Sequence, residues 1–204
     1  MTKDHAEYWD EHVQPRIDRD HPERADQAWD WPVIWRFIRW LGKGLRQEPM
    51  TLTLDVELSD GRLIPCGMFA GMLSYPFPVR PDAKSCFVWF MTAAPPEVLP
   101  KLLGCSAADA PRRLTRFCLD IGLTLSFRRG HDGRVWLHAS PAGARLPAWY
   151  EEQGMANLMQ QVKLPFGPRA LLKPNDGRYF YYDEPRAVDA SKALDEFREA
   201  VEGK

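Results

Sequence analysis

Cysteine is scarce, metal-ligand spacing is absent, and no apolar stretch is long. The 204 residues include four cysteines, Cys66, Cys86, Cys105 and Cys118. None belongs to a Cys-x-x-Cys pair, and their irregular spacings match no zinc signature. Each lies among apolar neighbours, where a thiol behaves as a small buried hydrophobe. Free core thiols in a reducing compartment are therefore expected. No run approaches the roughly 20 apolar residues that span a bilayer. The charged start Met1-Thr2-Lys3-Asp4-His5 lacks the apolar core of a secretory signal. The expectation is a cytoplasmic chain with no membrane partner. Charge of a single sign is missing too. The formal net charge is -1, so nucleic acid is not an expected partner unless a local patch attracts it.

Several catalytic templates are also missing. There is no Gly-x-x-x-x-Gly-Lys-Ser/Thr, no Gly-x-Ser-x-Gly and no His-Glu-x-x-His. Glu151 and Glu152 are adjacent on a helix and point in different directions, so they form no acid/base dyad. His5 and His12 are seven apart and can share a helix face, but no further metal ligands accompany them. Solvated histidines are the expectation, with no metal.

What is present is an ordinary globular composition, 45% hydrophobic and 27% charged, enough for one domain with a full core. Tryptophan is unusual. Four of eight, Trp29, Trp31, Trp35 and Trp40, fall in one short stretch. Asp30 and Pro32 mark a helix start there. Ile34, Phe37, Ile38, Leu41 and Leu45 make its apolar stripe. Gly42 and Gly44 are expected to help end it. Arg36, Arg39, Lys43 and Arg46 form a second stripe with two readings: a solvated face, or a phosphate-binding one that would serve RNA. Exposed tryptophan there would favour a protein partner; buried tryptophan would favour core packing.

Residues 51–58 alternate as a half-buried strand. Asp60-Gly61 is a hairpin turn. A returning strand follows over 62–73, with Gly67 and Gly71 as bulge candidates. Residues 74–84 hold three prolines and read as a loop lining a cleft. Residues 85–93 are almost continuously apolar, as in a strand covered on both faces. Ser106 or Asp109 is the expected cap of a long helix running to about Arg129. Gly130 to Gly133 turn into a strand over 134–139. A helix from about Ala144 ends at Gly154. Strands follow at 155–164 and 177–183. A last amphipathic helix covers 187–202, with Leu194, Phe197 and Val201 inward. The strand–helix–strand portion in the middle predicts a parallel pair of strands.

The stretch from Gly133 to Met155 resembles the late strand and helix of the GNAT superfamily of acyl-CoA-dependent N-acyltransferases. There a strand and a small-residue turn lead to a helix ending Tyr-x-x-x-Gly-apolar, the places of Tyr150, Gly154 and Met155. Met91-Thr-Ala-Ala-Pro95 is similar to the family's central strand. The resemblance implies an α+β fold, a mixed central sheet with helices on both faces. Residues 1–48 would be an N-terminal helical extension packed on a GNAT-like domain over 49–204. It also implies acetyl-CoA or another acyl-CoA as cosubstrate and an amine-bearing acceptor. Main-chain groups at Met91, Thr92 and Ala93 would pair with the pantetheine amides. The pyrophosphate would sit at the N-terminus of the long helix. Tyr150 would protonate the departing thiolate.

The chain departs from the family at the phosphate loop. That loop is rich in glycine, whereas residues 107–116 contain none. Arg112, Arg113 and Arg116 either replace the missing N–H contacts with charge or are surface arginines. Glu57 is a base candidate by position, or a solvent-facing strand residue. His138 reads as a satisfied buried histidine. The alternative to a transferase is an inactive relative that binds protein, or RNA, through the Trp-rich helix.

Overall fold

A computed structural model describes residues 1–165 and 175–202, and for 196–202 the backbone alone. The chain is α+β, with a mixed six-stranded sheet in the order β1-β2-β3-β4-β6-β5. It divides into two compact units. One holds Met1–Met72 and Trp89–Cys118, the other Leu73–Val88 and Leu119–Lys204.

The first unit begins with α1 (Lys3–His12), α2 (Gln14–Asp20) and α3 (Trp31–Leu45). Thr2 opens α1 through a reciprocal cap with His5, whose Nδ1 accepts the Thr2 N–H at 3.2 Å. This occupies His5 as a cap. His12 instead packs its ring on Tyr8. Asp30 caps α3 by accepting the Val33 N–H at 2.8 Å, as its sequence predicts.

Gly42 and Gly44 do not end α3. The helix passes through both and closes at Arg46, which takes a left-handed φ of 52°. Gly42 instead makes room for the chain that follows, since a Cβ there would meet the Pro49 ring at 2.9 Å. The chain leaving α3 thus doubles back against the helix at a position that lacks a side chain.

β1 (Pro49–Glu57) pairs antiparallel with β2 (Leu63–Pro76), joined by the Asp60-Gly61 turn, where Gly61 has φ 81°. The register shifts once, with Leu54 opposite Gly67 and Asp55 opposite Pro65. Cys66 is therefore the extra residue of a bulge. Gly71 pairs regularly with Met50, so only the Gly67 neighbourhood is irregular. β2 runs on to Pro76, which shortens the proline-containing loop expected over 74–84.

β3 (Lys84–Ala93) is buried from Ser85 to Val88, but Trp89, Phe90 and Met91 are only half-buried. Within the first unit their cover is aromatic. Phe90 meets Trp29 with centroids 5.2 Å apart, and Trp89 meets Phe37 at 5.8 Å. After a short α4 (Leu99–Leu103) comes α5 (Leu114–Arg128). Neither Ser106 nor Asp109 caps it. The Ser106 hydroxyl donates to the Asp109 carboxylate at 2.6 Å, and the two close a turn of their own. α5 is a single helix through Gly122, as its apolar stripe implies.

In the second unit β4 (Val135–His138) lies parallel to β3, with Cys86 opposite Val135 and Val88 opposite Leu137. β6 (Tyr179–Tyr182) pairs antiparallel with β4 and with the two-residue β5 (Ala156–Asn157). The strand expected over 155–164 is thus only β5; beyond it Leu158 makes one more bond to Tyr179 and the chain turns away. α6 (Leu146–Glu152) precedes β5, and α7 (Glu184–Glu202) closes the chain. Leu194 on α7 is buried. The inward placement expected for Phe197 and Val201 lies outside the described side chains.

Candidate functional site

The C-terminal end of β3 carries a buried polar cluster. Asp26 and Thr92 are 5% and 2% exposed. Burying a carboxylate is costly unless charge and hydrogen bonds compensate it. Arg24 supplies both: Nε donates to Oδ1 of Asp26 at 2.8 Å and Nη2 to Oδ2 at 2.6 Å, a two-pronged pair. The Thr92 hydroxyl donates to the same carboxylate. Nη2 of Arg24 also reaches Oγ1 of Thr92 at 3.1 Å and the main-chain oxygen of Ala93 at 2.9 Å.

The main chain there has a definite direction. Ala94 donates its N–H to Cys66 of β2 at 2.9 Å. Neighbouring residues of a strand point to opposite edges, so the Ala93 carbonyl belongs to the edge away from β2, where Arg24 meets it. Near the start of β3 the parity is reversed. Cys86, eight residues earlier, donates to Arg134 beside β4. Residues of the same parity therefore face opposite neighbours at the two ends of one strand, the effect of an inserted residue or bulge. The parallel ladder with β4 includes only Cys86 to Val88, and β3 continues for five residues beyond it, Trp89 to Ala93.

Of the residues expected to hold a cofactor, Met91, Thr92 and Ala93 thus sit together at this strand end. Arg112 and Arg113 are exposed just before α5, Arg116 is half-buried in its first turn, and Arg113 takes a left-handed φ of 62°. The Arg113 carbonyl accepts the first helical N–H groups, from Arg116 at 2.9 Å and Phe117 at 3.4 Å. Glu57 is exposed at the last position of β1, opposite Leu63. Cys118, in α5, points its Sγ at the Thr92 carbonyl across 3.7 Å. Burial pushes the Cys118 and Cys66 thiols up to about 12, so neither is a nucleophile at neutral pH.

In the second unit Tyr150 lies in the last turn of α6. Its ring is 6% exposed and packs on Phe180 with centroids 5.5 Å apart. Burial raises its phenol far above the usual range, so the group keeps its proton. The Tyr-x-x-x-Gly-apolar pattern has a local mechanical reason. Met155 donates to the Tyr150 carbonyl at 3.1 Å and Gly154 to Glu151 at 2.9 Å, with Gly154 at φ 85°. These two bonds are a Schellman C-cap. His138 is satisfied as expected: its Nε2 meets Oδ2 of Asp176 at 3.0 Å.

Arg24 and Asp26 were not legible as site residues. Nothing in the stretch from His21 to Trp29 marks them, and only the fold brings them to β3. Among the described residues no His/Cys/Asp/Glu group is placed to hold a metal, and no helix is long and apolar enough to cross a membrane.

No protein-family model matches this chain. No curated protein matches it either. Among solved structures it is similar to a chain of "The crystal structure of KacTA-DNA complex", at 13% identity and a TM-score of 0.44, over 77% of this chain and 82% of that one. So loose a likeness carries no argument about function.

The first unit offers two further surfaces. A cleft of about 460 Å³ is lined by Tyr8, His12, Arg16, Asp20, Glu97 and Lys101, a mixed-charge set. On and just before α3, Trp31 is fully buried and Trp29 and Trp35 are partly covered, but Trp40 is 69% exposed. Arg36, Arg39, Lys43 and Arg46 are all exposed, and Arg39 stacks over the Trp35 ring at 5.0 Å.

Proposed function

We propose that this chain is an N-acyltransferase that moves an acyl group, most simply acetyl, from acyl-CoA to an amine. The observation that carries the reading is β3 itself: a strand in parallel register with β4 over three residues that then runs five residues further. A strand end of that kind is what a pantetheine arm needs, because its amides pair with main-chain groups as another strand would. Ala93 offers such a group on the edge away from β2, with Met91 and Thr92 beside it, while the Thr92 carbonyl turns to Cys118. Arg112, Arg113 and Arg116 at the start of α5 supply charge for the pyrophosphate in place of a glycine-rich loop.

Tyr150 takes a narrower role than full acid catalysis. A thiol of ordinary pKa near 8.5 is far more acidic than this buried phenol, so complete transfer of the phenolic proton to a thiolate runs uphill. In this reading Tyr150 donates a hydrogen bond to the sulfur as the amine displaces it, and solvent supplies the proton after the thiolate leaves. Glu57 is assigned the amine proton by position alone.

Thermal unfolding with CoA or acetyl-CoA tests the reading. Binding should raise the stability by RT ln(1 + [L]/Kd). No shift at millimolar cofactor removes it. A Tyr150→Phe variant with full turnover removes the role of the phenol.

The exposure of Trp40 favours a second reading, an inactive relative that docks a partner on α3. An exposed indole flanked by cations is the residue mixture of binding hot spots. Binding without cofactor, abolished by Trp40→Ala, supports it over the transferase.

A further inference from the structure

We infer that residues 21–30 form an autoinhibitory strap, in which Arg24 occupies the edge of β3 that the acyl-CoA arm must use. This rests on the acyltransferase reading and adds a regulatory step to it.

The Ala93 carbonyl faces the edge away from β2, and the hydrogen bond it accepts there comes from Nη2 of Arg24 at 2.9 Å. A pantetheine amide N–H would need the same oxygen. A carbonyl has a second lone pair, but the guanidinium is planar and broad, and at this distance it fills the approach to that edge. The side chain is not loosely placed. The Asp26 carboxylate grips Nε and the same Nη2, and the Thr92 hydroxyl donates to that carboxylate.

The way the strap is fastened lets it open. Residues 21–30 contain turns and no regular helix or strand. Their internal main-chain bonds are local, and two are long, Gln27 to Arg24 at 3.4 Å and Trp29 to Asp26 at 3.3 Å. Side chains make the attachments. Nε2 of Gln14 donates to the Asp26 carbonyl at 2.8 Å, Ala28 donates its N–H to Asp18 at 2.7 Å, and His21 pairs with Glu97. Release of this segment up to Trp29, with Asp30 left in place as the cap of α3, breaks no ladder and leaves α1, α3 and the β1–β2 hairpin intact, the kind of local opening that costs far less than unfolding. A closed strap lowers apparent affinity by the fraction of open molecules, and removing the contact restores it.

The experiment is calorimetric titration of the full-length chain with CoA, together with amide exchange over residues 21–30. Arg24→Ala frees the Ala93 oxygen. Because it also leaves Asp26 without its partner, a double variant Arg24→Gln with Asp26→Asn carries the test should the single one fail to fold. The expected result is CoA binding by the unaltered chain, about tenfold tighter binding by the variants, and faster exchange in the strap when CoA is added. CoA binding that is no tighter in the variants, or a strap that exchanges no faster with CoA, overturns the strap and leaves the acyltransferase reading standing. No CoA binding by the unaltered chain or by either variant overturns both.

Discussion

Arg24 spans 69 positions of sequence to place Nη2 2.9 Å from the main-chain oxygen of Ala93. The same nitrogen holds Asp26 at 2.6 Å. A loop between two helices and the end of a central strand thereby share one guanidinium.

Asp26→Ala should destabilise the chain by about 3 kcal/mol, since removing one partner of a buried ion pair strands the other. The Arg24 side chain is 26% exposed, and water reaching it keeps the loss at the low end of that range. A lower urea midpoint with an unchanged slope is the check. A midpoint equal to the parent's would show that the cluster holds nothing.

Gly42→Ala and Gly44→Ala should move stability in opposite directions, although both replace a glycine inside α3. Nothing lies within 4 Å of the point where an alanine methyl would stand at Gly44, so alanine there gains helix propensity, about 0.5–1 kcal/mol. At Gly42 the methyl would strike the Pro49 ring at 2.9 Å, and a loss of about 1–3 kcal/mol is expected. Thermal midpoints of the two variants decide it.

His131 adds a pH dependence of known sign. Its pKa is held below the usual 6.5 mainly by burial, with Arg134 adding repulsion, and its Nε2 meets the Ser74 hydroxyl at 2.9 Å. The unfolded chain then binds the proton more readily than the folded one. Stability from this group is present above about pH 6.5 and is lost as the pH falls through the folded pKa. His131→Gln should flatten the rise in melting temperature just below neutral pH. An unchanged slope would assign it to other groups.

Trp31→Ala and Trp40→Ala separate core from surface on one helix. Trp31 is fully buried, and its truncation should cost about 3–5 kcal/mol. Trp40 is 69% exposed, and its loss should stay within about 0.5 kcal/mol. Comparable losses would mean that Trp40 is covered in solution.

The sequence by itself determined the elements whose cause is local. Asp30 marks the start of α3 because its carboxylate satisfies the Val33 N–H three residues on. Gly154 marks the end of α6 because it adopts φ 85° without strain. The period of Leu114 to Leu125 carries α5 through Gly122, and the strand–helix–strand order predicted the parallel β3–β4 pair that is found. Met91, Thr92 and Ala93 were legible as a strand end because their apolar run stops at Pro95-Pro96.

Tertiary structure alone decided the rest. Gly42 reads as a helix breaker until Pro49 is seen against it. Residues 155–164 alternate enough to suggest a strand, but only Ala156 and Asn157 find strand partners on β6. Arg24 and Asp26 look like linker polarity. They stand together with β3 because a buried carboxylate and the Ala93 carbonyl, far apart along the chain, each found a donor in one guanidinium that folding placed within reach of both.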